Sequence, residues 1–223
     1  METPREAVED TLAQLAAALP DLGFEAKSGL KLVRRHGDLT QEIHAQPDRA
    51  NRAGEVVRMR FSAMLQSALA KRWAKAQTDP ELHAEGPWAG VIDTRQMHFE
   101  EGLNGRDFDV VNPDDRPFVA DTVAAKVRED IMPWFDTMGD PVAALATLGT
   151  GVANEKWVLR HALAHGYDAE ARDALAQRCL RWPEFGQLFA QYAIQIRANG
   201  YPQGYSDATE ELAAFAVAAQ IAP

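Results

Sequence analysis

Five polar residues at alternate positions are the first candidates for chemistry in this sequence. Glu42, His44 and Gln46 occupy every second position of one segment, and Arg58 and Arg60 do the same in a later one. Alternate side chains of a β-strand point to the same face, so two adjacent strands would bring these residues together. The group would then bind an anion, or His44 would act as a base oriented by Glu42. An ordinary solvated sheet face is the favoured interpretation.

A second candidate is a pair of histidines, His161 and His165, four residues apart in a predicted helix. This spacing is common among metal-binding histidines. A zinc protease helix carries a glutamate directly after the first histidine, whereas Ala162 follows here. Glu155 precedes the pair on the same helix, but the sequence specifies no third ligand. Two histidines stabilised by the negative end of the helix dipole are therefore the favoured interpretation, and we predict no metal and no cofactor.

The other common motifs of catalysis are absent from the sequence. There is no phosphate-binding glycine loop, no nucleophile elbow around a serine and no cysteine cluster. Cys179 is the one cysteine, and its apolar neighbours predict a buried, unreactive thiol. Tyr201 and Tyr205 lie in a glycine-containing segment between predicted helices, where a partner contact is one interpretation and a plain connecting loop is the favoured one. The sequence favours a function without catalysis and assigns no catalytic residue.

The five polar candidates belong to a segment, residues 24–67, that predicts three consecutive antiparallel strands. Within residues 55–66 the apolar side chains fall mainly on one parity, which is typical of a half-buried strand. Residues 39–46 alternate in the same way, although Gln41 interrupts the apolar side. Residues 30–35 predict the first strand, and a glycine-containing hairpin turn follows it. The pattern indicates a β-meander.

The segments after the meander are less regular. Residues 68–77 are compatible with a strand extension or with a helix, and the sequence leaves both open. Residues 88–99 and 108–111 predict two further strands. An apolar stripe from Val119 to Ile131 then predicts a helix, which Pro133 is expected to kink or end.

Helical patterns begin and end the chain. A capping box at Thr3 and Glu6 predicts an N-terminal helix that covers one face of the sheet. From residue 139 onward the strand patterns disappear, and helices joined by short loops indicate a small bundle. We therefore predict an α+β protein, with an α+β domain containing an antiparallel sheet over residues 1–138 and an all-helical subdomain over residues 139–223. Whether the later helices cover the polar sheet face stays open.

The composition and the terminal segments indicate which partners and which cellular location to expect. The 223 residues carry a formal net charge of −10. This acidic balance argues against nucleic-acid binding, which requires a basic surface, and is compatible with a basic protein partner. The N-terminal segment lacks the apolar run of a signal peptide, and no segment has the length of a transmembrane helix. We expect a cytoplasmic protein that does not bind membranes, of open oligomeric state.

Several short segments carry a family resemblance. They are Leu22-Gly23-Phe24 after the first helix, Leu32-Val33-Arg34-Arg35 and Ile43-His44-Ala45-Gln46 in the first two strands, Phe61 in the third, and Ile131-Met132-Pro133-Trp134-Phe135 in a later helix. Through them, residues 5–148 resemble the bacterial family called domain of unknown function 4304. The resemblance implies an α+β sheet with helices and supplies no catalytic residues. The basic Arg58-Met59-Arg60 and the helices after Gly149 depart from the family pattern.

These features favour a non-enzymatic protein-binding module. Its expected partner is a basic protein, and an immunity-type role, in which the protein neutralises a toxin, is one hypothesis of this kind. The alternative is an enzyme or small-ligand binder that uses the polar sheet face around His44, Arg58 and Arg60. A dry pocket enclosing these side chains would favour the alternative, whereas a flat, solvated sheet would count against it.

Overall fold

The computed structural model describes residues 2–151 and 153–223 and shows an α+β protein, as predicted. The helices are α1 (Pro4–Ala18), α2 (Ala68–Ala76), α3 (Arg116–Lys126), α4 (Met132–Gly139), α5 (Pro141–Leu145), α6 (Glu155–Ala164), α7 (Asp168–Arg181), α8 (Pro183–Asn199) and α9 (Ala208–Ala218). The strands are β1 (Glu25–Lys27), β2 (Lys31–His36), β3 (Leu39–Pro47), β4 (Arg58–Ser67), β5 (Val91–Gln96) and β6 (Phe108–Asp109).

The strands form an antiparallel sheet in the order β1-β2-β3-β4-β5, and β6 pairs with β4. In the hairpin of β2 and β3, Lys31 lies opposite His44 and Val33 lies opposite Glu42. The predicted meander is confirmed, with one addition at its start. The short strand β1 pairs with β2, so the segment predicted to hold three strands holds four.

The chain divides into two compact units. Unit 1 comprises the residues up to Leu65 together with Thr94–Asp136, and unit 2 comprises Gln66–Asp93 and Thr137–Pro223. The last boundary between the units, between Asp136 and Thr137, lies close to the predicted boundary at residue 138. The prediction placed residues 66–93 with the sheet domain, however, whereas they group with the helical unit. The reason is that α2 packs against α6 and against a 3-10 turn, Pro87–Gly90.

Unit 1 has a core between its helices and the sheet. Helix α1 packs against α3 and against β1, β2 and β3. The residues of the predicted apolar parity around β4 are all buried: Val57, Met59, Phe61, Ala63 and Leu65. Opposite parities of the strand therefore face the core and the polar side, as the period-two pattern indicated.

The helix that begins at Arg116 continues beyond Pro133. A π-helical turn, Val127–Ile131, joins α3 to α4 without a break in the helical backbone. Pro133 follows directly after the π-helical turn, where the regular α-helical hydrogen-bond pattern is already interrupted and a residue without a backbone N–H is accommodated. Of the two predicted effects, an end of the helix at Pro133 is therefore wrong, and the π-helical turn is a local irregularity of the helix beside this proline.

Unit 2 is built mainly from helices. Residues 68–76, for which the sequence left two conformations open, form α2, whose N-terminal Ser67 accepts a hydrogen bond at Oγ from the backbone of Ala70. Further along, α5 packs against α6 and α7, α7 packs against α8, and α8 packs against α9. Within the ranges given above, no helix combines the length and apolar character needed to cross a membrane.

Candidate functional site

Glu42 and His44 contact each other on the polar face of the sheet, as the sequence predicted. His44 Nε2 lies 2.8 Å from Glu42 Oε2, and the nearly buried Glu42 side chain also accepts a 2.6 Å hydrogen bond at Oε1 from Lys31 Nζ. The register of β2 and β3 places Lys31 directly opposite His44. The sequence analysis missed Lys31, although its position in the first predicted strand was a signal that could have revealed it.

The remaining three polar candidates, Gln46, Arg58 and Arg60, form no hydrogen bond with Glu42 or His44 in the described part of the chain. Gln46 Nε2 donates a 3.0 Å hydrogen bond to Ser62 Oγ, and Arg60 Nε lies 3.4 Å from Asp107 Oδ1. Arg58 is exposed to solvent. Among the hydrogen bonds and ion pairs of the described residues, none joins either arginine to Glu42 or His44. The structure therefore brings two of the five predicted residues into contact, pairs Arg60 with a residue from a distant loop and leaves Arg58 exposed.

The charges around Glu42 determine its ionisation. Burial alone would raise the pKa of Glu42, but the hydrogen bonds from His44 and Lys31 and the charge of Lys31 outweigh burial and hold this pKa below its ordinary value. Glu42 is consequently a carboxylate at neutral pH. It orients His44 and compensates the Lys31 charge, which gives the cluster a structural role whether or not a ligand binds.

We expect Glu42→Gln to lower the free energy of unfolding by about 1–2 kcal/mol at pH 7, because two charge-assisted hydrogen bonds are weakened while Lys31 and His44 stay hydrated. The lowered pKa sets the pH dependence. Stability from this carboxylate is complete above its unfolded-state pKa of about 4.3 and is lost as pH falls through its lower folded-state pKa. Urea unfolding of both proteins between pH 7 and pH 3 measures the difference.

The control for this measurement is Glu55→Gln. Glu55 forms an exposed ion pair with Arg52, and such pairs contribute less than about 1 kcal/mol. If Glu42→Gln lowers the free energy of unfolding by the same amount at pH 7 and at pH 3, the carboxylate charge does not stabilise the cluster.

The two histidines of the metal hypothesis lie side by side in unit 2. His161 is buried in α6 and its Nε2 lies 3.2 Å from the carbonyl oxygen of Gly139, while the His161 and His165 rings are 4.8 Å apart in an edge-to-face arrangement. In residues 2–151 and 153–223, no group of three or more His, Cys, Asp or Glu residues is placed to hold a metal ion. Glu155 instead lies 2.7 Å from Arg178.

Two tyrosines and two carboxylates form a second candidate surface, of which the sequence indicated only the tyrosines. We define the acidic tyrosine surface by Asp79, Glu81, Tyr201 and Tyr205, all in unit 2. Tyr201 Oη donates a 2.9 Å hydrogen bond to Asp79 Oδ2, and the Glu81 carboxylate lies close to Tyr205. Burial, followed by the neighbouring Asp79, raises the pKa of Tyr201 to about 12, and burial together with Glu81 also raises the pKa of Tyr205. The loop that the sequence predicted to be a plain connection is thus anchored to a second loop.

Three cavities in unit 2 have one residue in common, Arg178. Their volumes are about 340, 700 and 340 Å³. Lys156 and Glu211 line the first, and Trp182 and Phe185 line the second. None of the five polar candidates of the sheet lines any of these three cavities. The sequence contained no motif that indicated this region.

Comparison of the chain with models of protein families, with curated proteins and with solved structures found no match.

Proposed function

We propose that this protein is a non-enzymatic protein-binding module whose partner is a basic protein. The observation that carries this proposal is the acidic tyrosine surface. Asp79 accepts a hydrogen bond from the Tyr201 hydroxyl, Glu81 lies close to Tyr205, and no lysine or arginine is among the hydrogen-bond or ion-pair partners of the two carboxylates in the described part of the chain. Two carboxylates without a neighbouring cation present negative charge that a basic partner would neutralise.

The tyrosines suit the same role. Tyrosine is enriched at protein interfaces because its ring supplies apolar contact area and its hydroxyl supplies a hydrogen bond. Tyr201 is held by its hydrogen bond to Asp79 before any partner arrives, so this tyrosine loses little side-chain entropy on binding. Acidic residues also outnumber basic ones in each of the two units, which adds long-range attraction for a cationic protein.

The polar sheet face supports this proposal indirectly. Two of its candidate charges are already compensated within the protein, Glu42 by Lys31 and Arg60 by Asp107, while Arg58 is exposed to solvent. The absence of catalytic motifs in the sequence favours binding over catalysis, and the resemblance to a domain of unknown function supplies no catalytic residues. An immunity-type function, in which the module masks a basic toxin, is one form of this proposal.

Affinity capture tests the proposal with charge variants. The tagged protein is incubated with an extract of its native host at low salt and washed with rising salt. We expect a basic protein to be retained in stoichiometric amount and released as salt screens the attraction. The combined variant Asp79→Asn, Glu81→Gln should lose that protein at low salt.

The matched control is the combined variant Glu9→Gln, Glu55→Gln. It removes the same number of charges from exposed positions of unit 1 and should retain the partner. If both variants lose the partner to the same extent, net charge is responsible for binding and the acidic tyrosine surface is not. A bait recovered without any basic protein would contradict the proposal.

The alternative function is an enzyme or small-ligand binder at the polar sheet face. The 2.8 Å contact between Glu42 and His44 favours it, because a carboxylate that orients a histidine is a common arrangement for a base. The separation of Arg58 and Arg60 from this pair weighs against an anion site. If affinity capture returns the bait alone, this face becomes the first place to search for a small ligand.

A further inference from the structure

We infer that unit 2 contains a binding site for a small aromatic carboxylate, with Arg178 as the residue that binds the carboxylate group. This site is separate from the acidic tyrosine surface and does not depend on the proposed protein partner. Arg178, Trp182 and Phe185 are its main residues.

Arg178 is held in place on two sides. Its Nε lies 2.7 Å from both carboxylate oxygens of Glu155, and its guanidinium carbon lies 3.5 Å from the centroid of the Phe185 ring. Glu155 is itself fixed by a 2.8 Å hydrogen bond from the backbone N–H of Gly149. The guanidinium is therefore oriented before a ligand binds, which lowers the entropic cost of binding.

The outer edge of the same guanidinium is free. In the described ranges, no hydrogen bond or ion pair involves Nη1 or Nη2 of Arg178, and the side chain is 16% exposed. These two nitrogens form a planar fork that matches the two oxygens of a carboxylate. Glu155 thus binds one edge of Arg178 and leaves the other edge for a ligand.

The largest of the three cavities is lined by Arg178. Its volume of about 700 Å³ is in the range of small-molecule sites, and Trp182, Pro183 and Phe185 supply apolar walls. Gly149 also lines this cavity. A Cβ at this position would lie only 3.1 Å from Trp182 Nε1, so the absence of a side chain at residue 149 lets the indole lie this close to the backbone. The indole of Trp182 is half exposed. Flat walls beside a guanidinium fork suit an aromatic ring that carries a carboxylate.

The local charges favour a ligand with one negative charge. Glu155 already compensates Arg178, and the exposed Glu184 also lines the largest cavity. In the neighbouring cavity Lys156 is paired with Glu211 at 3.0 Å. Arg178 is the one lysine or arginine among the described residues that line the largest cavity, and Glu155 already neutralises it, so a monoanionic carboxylate fits better there than a dianionic phosphate.

Titration of the ¹⁵N-labelled protein with benzoate tests the inference. The indole N–H resonance of Trp182, assigned from its absence in Trp182→Phe, should shift in a saturable manner. Benzamide has the same shape without the charge and should bind at least about tenfold more weakly. Phenyl phosphate, the dianionic probe, should also bind more weakly than benzoate. No shift at about 10 mM benzoate, or equal binding of benzamide or phenyl phosphate, would overturn the inference.

Variants locate the site. Arg178→Lys keeps the charge but removes the planar fork, and we expect it to weaken benzoate binding at least about tenfold. Arg172→Lys, an exposed position of the same helix outside all three cavities, should bind as the unaltered protein does. If Arg178→Lys does not fold, Trp182→Ala decides the question, because it removes a half-exposed wall; backbone amide shifts then report benzoate binding in place of the missing indole resonance. Unchanged affinity in the folded variants would refute the assignment.

Discussion

Phe61→Ala is expected to lower the free energy of unfolding by about 3–5 kcal/mol, the range observed for large cavities left by buried aromatic residues. Phe61 is fully buried in β4. Its ring makes edge-to-face contacts with Phe99 and Phe108, at centroid distances of 6.4 Å to each, and those two rings lie 4.9 Å apart. Alanine would remove the ring shared by two of the three contacts and leave a cavity in the core of unit 1.

Phe118→Ala is the matched control for this prediction. Phe118 lies on α3 in the same unit with 57% of its surface exposed, so its replacement should change the free energy of unfolding by no more than about 0.5 kcal/mol. Urea unfolding followed by circular dichroism measures both variants. A loss below about 1 kcal/mol for Phe61→Ala would mean that the aromatic cluster does not hold unit 1 together.

Arg116→Met is expected to cost about 2–3 kcal/mol of unfolding free energy. The Arg116 side chain is buried, and its Nε donates a 3.0 Å hydrogen bond to the carbonyl oxygen of Val110. Its Nη1 and Nη2 atoms bind Glu2, and Nη1 also binds Asp10 at 2.9 Å. Methionine fills much of the space but leaves the buried Val110 carbonyl without this donor. The two carboxylates stay partly hydrated, so the cost is smaller than for a fully buried ion pair.

Arg128→Met provides the comparison for Arg116. Arg128 forms an ion pair with Asp21 in which both side chains are more than a third exposed, and such a pair contributes less than about 1 kcal/mol. Urea unfolding at low and high salt separates the two cases, since salt should reduce only the small Arg128 effect. Equal losses in both variants would contradict a special role for the buried guanidinium.

The candidate sites were predictable to different degrees. The contact of Glu42 with His44 followed from period-two alternation, because residues two apart in a strand share a face. The partner of Arg60 could not be predicted, since Asp107 lies in a loop after β5 whose path the sequence pattern does not define. The hydrogen bond of Tyr201 with Asp79 joins residues 122 positions apart.

The sequence by itself determined the local features of this protein. The capping box of Thr3 with Glu6, the apolar parity of β4 and the β2–β3 hairpin all depend on residues within a few positions of one another. Only the tertiary structure decided that residues 68–76 are helical, that residues 66–93 group with the C-terminal helices, and that Arg178 borders three cavities. The physical reason is that the latter features depend on packing between distant segments, which overrides weak local preferences.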